Sequence, residues 1–281
     1  MIKEIIDKLV ALLAVSALLA SCSESELWQN PQTEARDGYI MLNFKTEIPA
    51  MQEVVTRAVD PDGGGVQDMT LFCFDSYGLF ISTVKAGVTV QKPGPGEMEG
   101  TFKAEVPENT RTIHFLANQN MDEFKEDSFR NKSESEVMAV LEGSSGRMIY
   151  WGRFACDAGN DSNIAEQMAT SGNSVKLIRN HARISVDNPD NNGHIVITGF
   201  AVCNTNAFGT VAPHHPKKGF DFTWPSSDDP FVTLPVNDAK MSDITDVTSS
   251  MNQYVFECEN SADAPVSVIL RGHLPDQDEE K

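Results

Sequence analysis

The sequence has little that is basic. Against 41 Asp and Glu stand only 22 Lys and Arg, a formal charge of −19, and so acidic a surface repels phosphate backbones and anionic bilayers. Nucleic-acid recognition is excluded on that ground. Cysteine is scarce, 5 in 281 residues, and no pair is spaced as CxxC, so neither a zinc ribbon nor a thioredoxin-like motif is indicated. GxSxG, HExxH and a Walker loop are all missing, and with them the commonest signatures of hydrolases, zinc proteases and ATPases. No enzymatic role and no cofactor are expected. His214-His215 beside Lys217-Lys218 reads as a loop, because adjacent histidines do not share a face of a strand. Asp60/Asp62 and Asp157/Asp161 miss the EF-hand spacing and its closing Glu, so no metal is expected either.

Long apolar runs are also lacking, with one short exception. Leu9–Ala20 (LVALLAVSALLA) follows a lead containing Lys3 and Lys8 and ends at Leu19-Ala20-Ser21-Cys22. It is roughly a dozen residues long, whereas a bilayer crossing needs ~20. A charged lead, a short apolar core and a small-residue cleavage site make a secretory signal over residues 1–21. Leu-Ala-Ser-Cys is similar to a bacterial lipobox, which makes Cys22 the expected site of cleavage and lipidation. Several acyl chains on one residue, at about 0.8 kcal/mol per buried CH₂, hold a protein firmly on the outer membrane. Residues 22–38 read as an acidic tether. Its Ser23-Glu24-Ser25-Glu26 is similar to the tract that directs some Gram-negative lipoproteins to the cell surface.

What is present is alternation. Ile40, Leu42, Phe44 and Ile48 fall on one face of a strand, with Tyr39, Asn43, Lys45 and Glu47 on the other. Met69–Phe74 (MTLFCF) is apolar at both parities and predicts a central strand. Asp75-Ser76-Tyr77-Gly78 predicts a type I turn leading into Leu79–Val84. Further strands are predicted around Phe102–Val106, Ile113–Ala117, Met148–Phe154, Ala182–Val186, Ile195–Cys203, Tyr254–Cys258 and Val266–Leu270. One helix is predicted, opened by the capping box Ser133-x-x-Glu136, carried by Val137, Val140 and Leu141, and stopped at Gly143. Cys156–Asn173 reads as a polar loop. Many short strands joined by Gly and Pro turns predict a mainly β protein of two sandwiches, residues 39–173 and 174–281.

Several stretches together resemble the fimbrillin family, the subunits and anchors of Bacteroidales-type (type V) pili. They are Val55-Thr56-Arg57-Ala58, Leu71–Asp75 with Gly78, Ile113–Asn118, Ile149–Gly152, Asn180–Ile184 with Arg179, Gly199–Pro213, Tyr254–Glu257 and Val268–Gly272. The resemblance implies a surface lipoprotein with two transthyretin-like β-sandwich domains. It also implies, for stalk subunits, cleavage by an arginine-specific protease, which falls here between Arg57 and Ala58. The strand carrying Ile40, Leu42, Phe44 and Ile48 would then leave its groove, and a neighbouring subunit's strand would enter. The implied partners are thus other pilus subunits, that protease, and the outer membrane through the N-terminal lipid.

The end of the chain departs from the family pattern. After Val266–Leu270, where members carry further strands, it runs into Pro275–Lys281 (PDQDEEK). Either the gene product is truncated or the second sandwich is incomplete, and the expected role is strand acceptor or anchor and not donor. The alternative from another class is a surface glycan-binding lipoprotein using loop aromatics such as Phe222 and Trp224. Trp151, inside MIYWGRF, is expected in the core.

Overall fold

The structure is a computed structural model and describes residues 35–48, 65–91, 100–122, 124–144, 148–186, 195–215, 230–238 and 252–274. The first strands in chain order are β1 (Tyr39–Glu47), β2 (Met69–Phe74), β3 (Phe80–Lys85), β4 (Gly87–Gln91), β5 (Gly100–Pro107) and β6 (Thr112–Ala117). A short helix α1 (Glu134–Met138), β7 (Glu142–Ser144), β8 (Tyr150–Ala155) and helix α2 (Ile164–Thr170) follow. Next come β9 (Ser174–Lys176), β10 (Ile178–Arg179), β11 (His181–Ser185), β12 (Val196–Cys203) and β13 (Phe208–Thr210). The last two are β14 (Asn252–Phe256) and β15 (Ser267–His273).

Two sheets build the first sandwich, one ordered β4-β5-β1-β9 and the other β10-β8-β6-β2-β3. Ile40, Leu42 and Phe44 of β1 and Phe102, Ala104 and Val106 of β5 meet Met69, Leu71 and Cys73 of β2 in one buried core. Ile113, Phe115 and Ala117 of β6 close it from the second sheet. Side chains alternate with a period of two, so the remaining parity of the second sheet needs its own cover. Phe72, Phe74, Leu116 and Trp151 find it under Val137, Met138 and Leu141 and under Val211, Ala212, Phe231 and Val232. Every residue of β2 is consequently buried, as expected of a strand apolar on both faces.

The β2–β3 hairpin forms at the anticipated turn. The Gly78 amide donates to the Asp75 carbonyl (3.1 Å), and Asp75 Oδ1 accepts from the amides of Tyr77 and Leu79 (2.8 and 3.0 Å). Gly78 has φ +73°, the left-handed residue that follows a type I turn in a bulged hairpin. Close approach dictates a second glycine. A Cβ on Gly152 would lie 2.6 Å from the Lys176 carbonyl oxygen and 2.8 Å from Leu177 Cδ2, so only glycine lets β9 cross so near to β8.

Three expectations need correction. The helix at Ser133 is real, with Ser133 Oγ accepting from the Glu136 amide and Glu136 Oε2 from the Ser133 amide. It ends at Met138, however, and Val140 stands 53% exposed, while Gly143 belongs to strand β7. The polar stretch Cys156–Asn173 contains a second helix, α2, opened by a capping box of Asn163 and Glu166. Its Ile164, Ala165 and Met168 plug the sandwich core. Three apolar residues at helical spacing suffice there because the neighbouring sheets supply the rest of the contact surface. Finally, β9 pairs in parallel with β1, and β10 pairs with β8. Residues 174–179 therefore belong to the first sandwich, and the expected break at 173/174 falls too early.

Beyond Asn180 the described strands form small sheets, β11 with β14 and β12 with β15, while β13 pairs with β7 of the first region. The Gln253 side chain takes strand-like hydrogen bonds on β12, accepting from the Val202 amide (2.7 Å) and donating to the Phe200 carbonyl (3.0 Å). Cys73 and Cys203 are buried and Cys156 and Cys258 partly so, all as free thiols; burial pushes the Cys73 thiol up to about 12.

Candidate functional site

Strand β1 is held in the sandwich from several sides. It pairs antiparallel with β5 from Tyr39↔Pro107 to Thr46↔Gly100 and in parallel with β9 from Lys45 to Glu47. The Lys45 amide donates to the Asn173 carbonyl and the Leu177 amide to the Glu47 carbonyl, both at 2.8 Å. At its outer end the Arg36 guanidinium bonds Glu105 (2.6 Å) and lies 4.2 Å over the Tyr39 ring. Inward, Ile40, Leu42, Phe44 and Ile48 are all buried, as is Thr46 on the same face. Phe44 is the centre of this row, stacked on Phe102 (5.5 Å) and edge-on to Phe115 (5.0 Å).

The strand is thus anchored by apolar side chains along one face and by backbone pairing along its edges. Removing it would open a channel lined by the rings of Phe102 and Phe115. Cys22, Arg57 and Ala58, the lipidation and cleavage positions expected from the sequence, lie outside the described residues, as do Phe222 and Trp224.

On the opposite face of the second sheet lies a buried polar cluster that the sequence reading missed. His114 on β6 is fully buried, its Nδ1 accepting from the Trp151 indole (3.0 Å) and its Nε2 donating to Glu134 Oε2 (2.7 Å). Glu134, the first residue of α1, also receives a bidentate pair from Arg153 on β8, at 2.7 and 3.1 Å. Phe231 lies parallel over the imidazole at 5.7 Å, and Phe74 meets it edge-on at 5.3 Å.

Burial disfavours charge on His114 and lowers its pKa against the pull of Glu134; the imidazole is neutral. Burial also opposes ionisation of Glu134, but the hydrogen bonds from His114 and Arg153 outweigh it and bring the carboxyl to about 2. The cluster clamps α1 to the sheet and brings Phe231 of the distal region onto it. The clue in the sequence was a histidine inside the strand pattern Ile113–Ala117, beside a carboxylate following the capping Ser133. Trp151 is in the core, as expected.

Among the described residues no group of three His, Cys, Asp or Glu is placed to hold a metal. His214 Nδ1 donates to the Val232 carbonyl (2.5 Å), and its ring meets that of His215 edge-on. No helix among the described residues is long and apolar enough to cross a membrane.

No family model and no curated protein matches the chain. Among solved structures it is similar to a candidate cell adhesion protein from Parabacteroides distasonis, with 16% identity and a TM-score of 0.46 over 84% of this chain and 76% of that one. The tip fimbrial protein Mfa3 from Porphyromonas gingivalis, with C-terminal truncation, aligns at 15% identity and a TM-score of 0.44, over 79% and 71%. The fimbrial anchor protein Mfa2 from the same organism aligns at 12% identity and a TM-score of 0.28, over 86% and 76%. All are distant likenesses.

Proposed function

We propose that this chain is a fimbrial subunit or anchor at the cell surface, tethered through lipid on Cys22 and able to exchange its first strand after cleavage at Arg57. The observation that carries this reading is the setting of β1. Cleavage between Arg57 and Ala58 leaves the strand joined to the sandwich by non-covalent contacts alone. Its four inward residues, Ile40, Leu42, Phe44 and Ile48, are each at least nine-tenths buried. At about 1.5–3 kcal/mol apiece they contribute roughly 6–12 kcal/mol, comparable with the ~5–15 kcal/mol that stabilises a whole domain.

The vacated sandwich therefore has a strong demand for a replacement. A strand from another subunit can meet it by pairing with β5 and setting apolar side chains over Phe102 and Phe115. It must keep register, because a slip of one residue turns every apolar group outward.

The test is to expose surface-displayed protein to an arginine-specific protease and follow its size on gels without boiling. Wild type acting as a stalk subunit gives a ladder with a new N-terminus at Ala58, and Arg57→Ala stays monomeric. Wild type that resists the protease and keeps lipid on Cys22 is an anchor. Equal ladders from wild type and Arg57→Ala would rule out the switch.

A further inference from the structure

The inward row of β1 has one polar member. Thr46 follows Ile40, Leu42 and Phe44 on the same face and is fully buried. In register it lies between Gly100 on β5 and Val175 on β9, and neither offers its side chain a hydrogen bond. Its Oγ1 is enclosed and has no partner. Most buried hydroxyls find one. A hydroxyl that has given up water and gained nothing opposes the burial that holds its strand.

The space around Thr46 is also limited. The Phe102 ring crosses over Gly100, where a Cβ would lie 2.5 Å from Phe102 Cε2 and 3.4 Å from Thr46 Oγ1. The same ring stacks on Phe44, so a longer side chain at position 46 would push it out of that stack. Valine has the shape of threonine with a methyl in place of the hydroxyl. It fits the site and leaves no polar atom unmet.

We infer that Thr46 makes β1 the weaker occupant of its own groove, and that the strand replacing it carries valine at this register. The second half rests on the strand exchange proposed above. Both strands fill the pockets of Ile40, Leu42, Phe44 and Ile48 with apolar side chains, so those contributions largely cancel. Position 46 is then left to give the exchange its direction, toward the strand without a buried, unbonded hydroxyl.

Two measurements test the two halves. In the intact full chain, Thr46→Val should raise the urea midpoint by about 0.5–1 M. Thr46→Leu, which must displace the Phe102 ring, should lower it. Where a buried threonine hydroxyl is bonded, exchange to valine destabilises, so the sign is decisive. An unchanged or lowered midpoint for Thr46→Val would overturn the inference. In chain cleaved after Arg57, a synthetic 38–48 peptide with Thr46→Val should compete for the groove about tenfold better than the wild-type peptide, against a fluorescent wild-type tracer. Equal competition would overturn the valine of the partner strand. Entry of neither peptide, beside a raised midpoint in the intact chain, would sink the strand exchange itself and still support the weakness of position 46.

Discussion

In the first sandwich β2 and β6 are buried at every position, whereas in the distal region β15 leaves Val268 and Leu270 49% and 52% exposed. β15 (SVILRGH) is less apolar than β2 (MTLFCF), yet its consecutive Val268, Ile269 and Leu270 match the apolar run Phe115–Ala117 of β6. What differs is the number of layers. The sheets of the first sandwich cover each other, and α1 with the Val211–Ala212 and Phe231–Val232 segments covers the outer face of the second. Among the described residues the β12–β15 pair has only Ala201 and Cys203 in its own buried cluster, with Ile269 packed on it. Apolar alternation makes a strand able to be buried, and a second layer decides whether it is.

The contrast can be broken most directly at Phe44. Phe44→Ala removes a fully buried ring between two aromatic neighbours and should cost about 3–5 kcal/mol. Leu270→Ala, at a half-exposed site, should stay within about 0.5 kcal/mol. Urea denaturation midpoints decide, and similar values for both variants would abolish the distinction between the regions.

The polar clamp offers a second, pH-dependent test. Glu134 titrates near 4.5 when unfolded and about 2 when folded, so its stabilisation is complete above 4.5 and fades as the pH falls toward 2. His114, with its folded pKa lowered from 6.5, adds a loss of the same sign as the pH drops below that value. Glu134→Gln should cost about 3 kcal/mol at neutral pH by removing the buried charge that meets Arg153 at 2.7 and 3.1 Å. The variant should also lose less stability than wild type between pH 5 and pH 3. Parallel pH profiles for the two proteins would show that the clamp carries no acid sensitivity.

Phe231→Ala sharpens the comparison from the distal side. The ring covers His114 and is 8% exposed, so truncation should cost about 3 kcal/mol of contact between the regions. Limited proteolysis is expected to nick the distal region first, while the 39–179 fragment persists. Simultaneous loss of both would mean that the sandwich depends on its cover as much as the cover depends on it.

The smallest effects belong to the helix caps. Ser133→Ala and Asn163→Ala should each cost about 0.5–2 kcal/mol. Asn163 should lie at the upper end, because α2 places three residues in the main core. Chemical denaturation of the pair would show whether the order holds; a costlier Ser133→Ala would reverse it.

The sequence by itself determined which side chains of the sandwich strands share a face, and one of the helix caps. Alternation in Ile40–Ile48 and Phe102–Val106 fixes which side chains face inward, because a pleated strand can turn only every second residue to the same side. Asp75–Gly78 fixed the hairpin, because the Asp side chain and the glycine's positive φ are local properties of those residues. Tertiary structure decided the rest. Three-residue and two-residue strands such as β7, β9 and β10 carry no period long enough to read and exist only because a partner edge is in place. Helix α2 is stable because the open end of the sandwich accepts Ile164 and Met168. The clamp of His114, Trp151, Arg153 and Glu134 joins two strands and a helix. No local pattern encodes that meeting, because the low dielectric that makes the cluster strong is created by the packing around it.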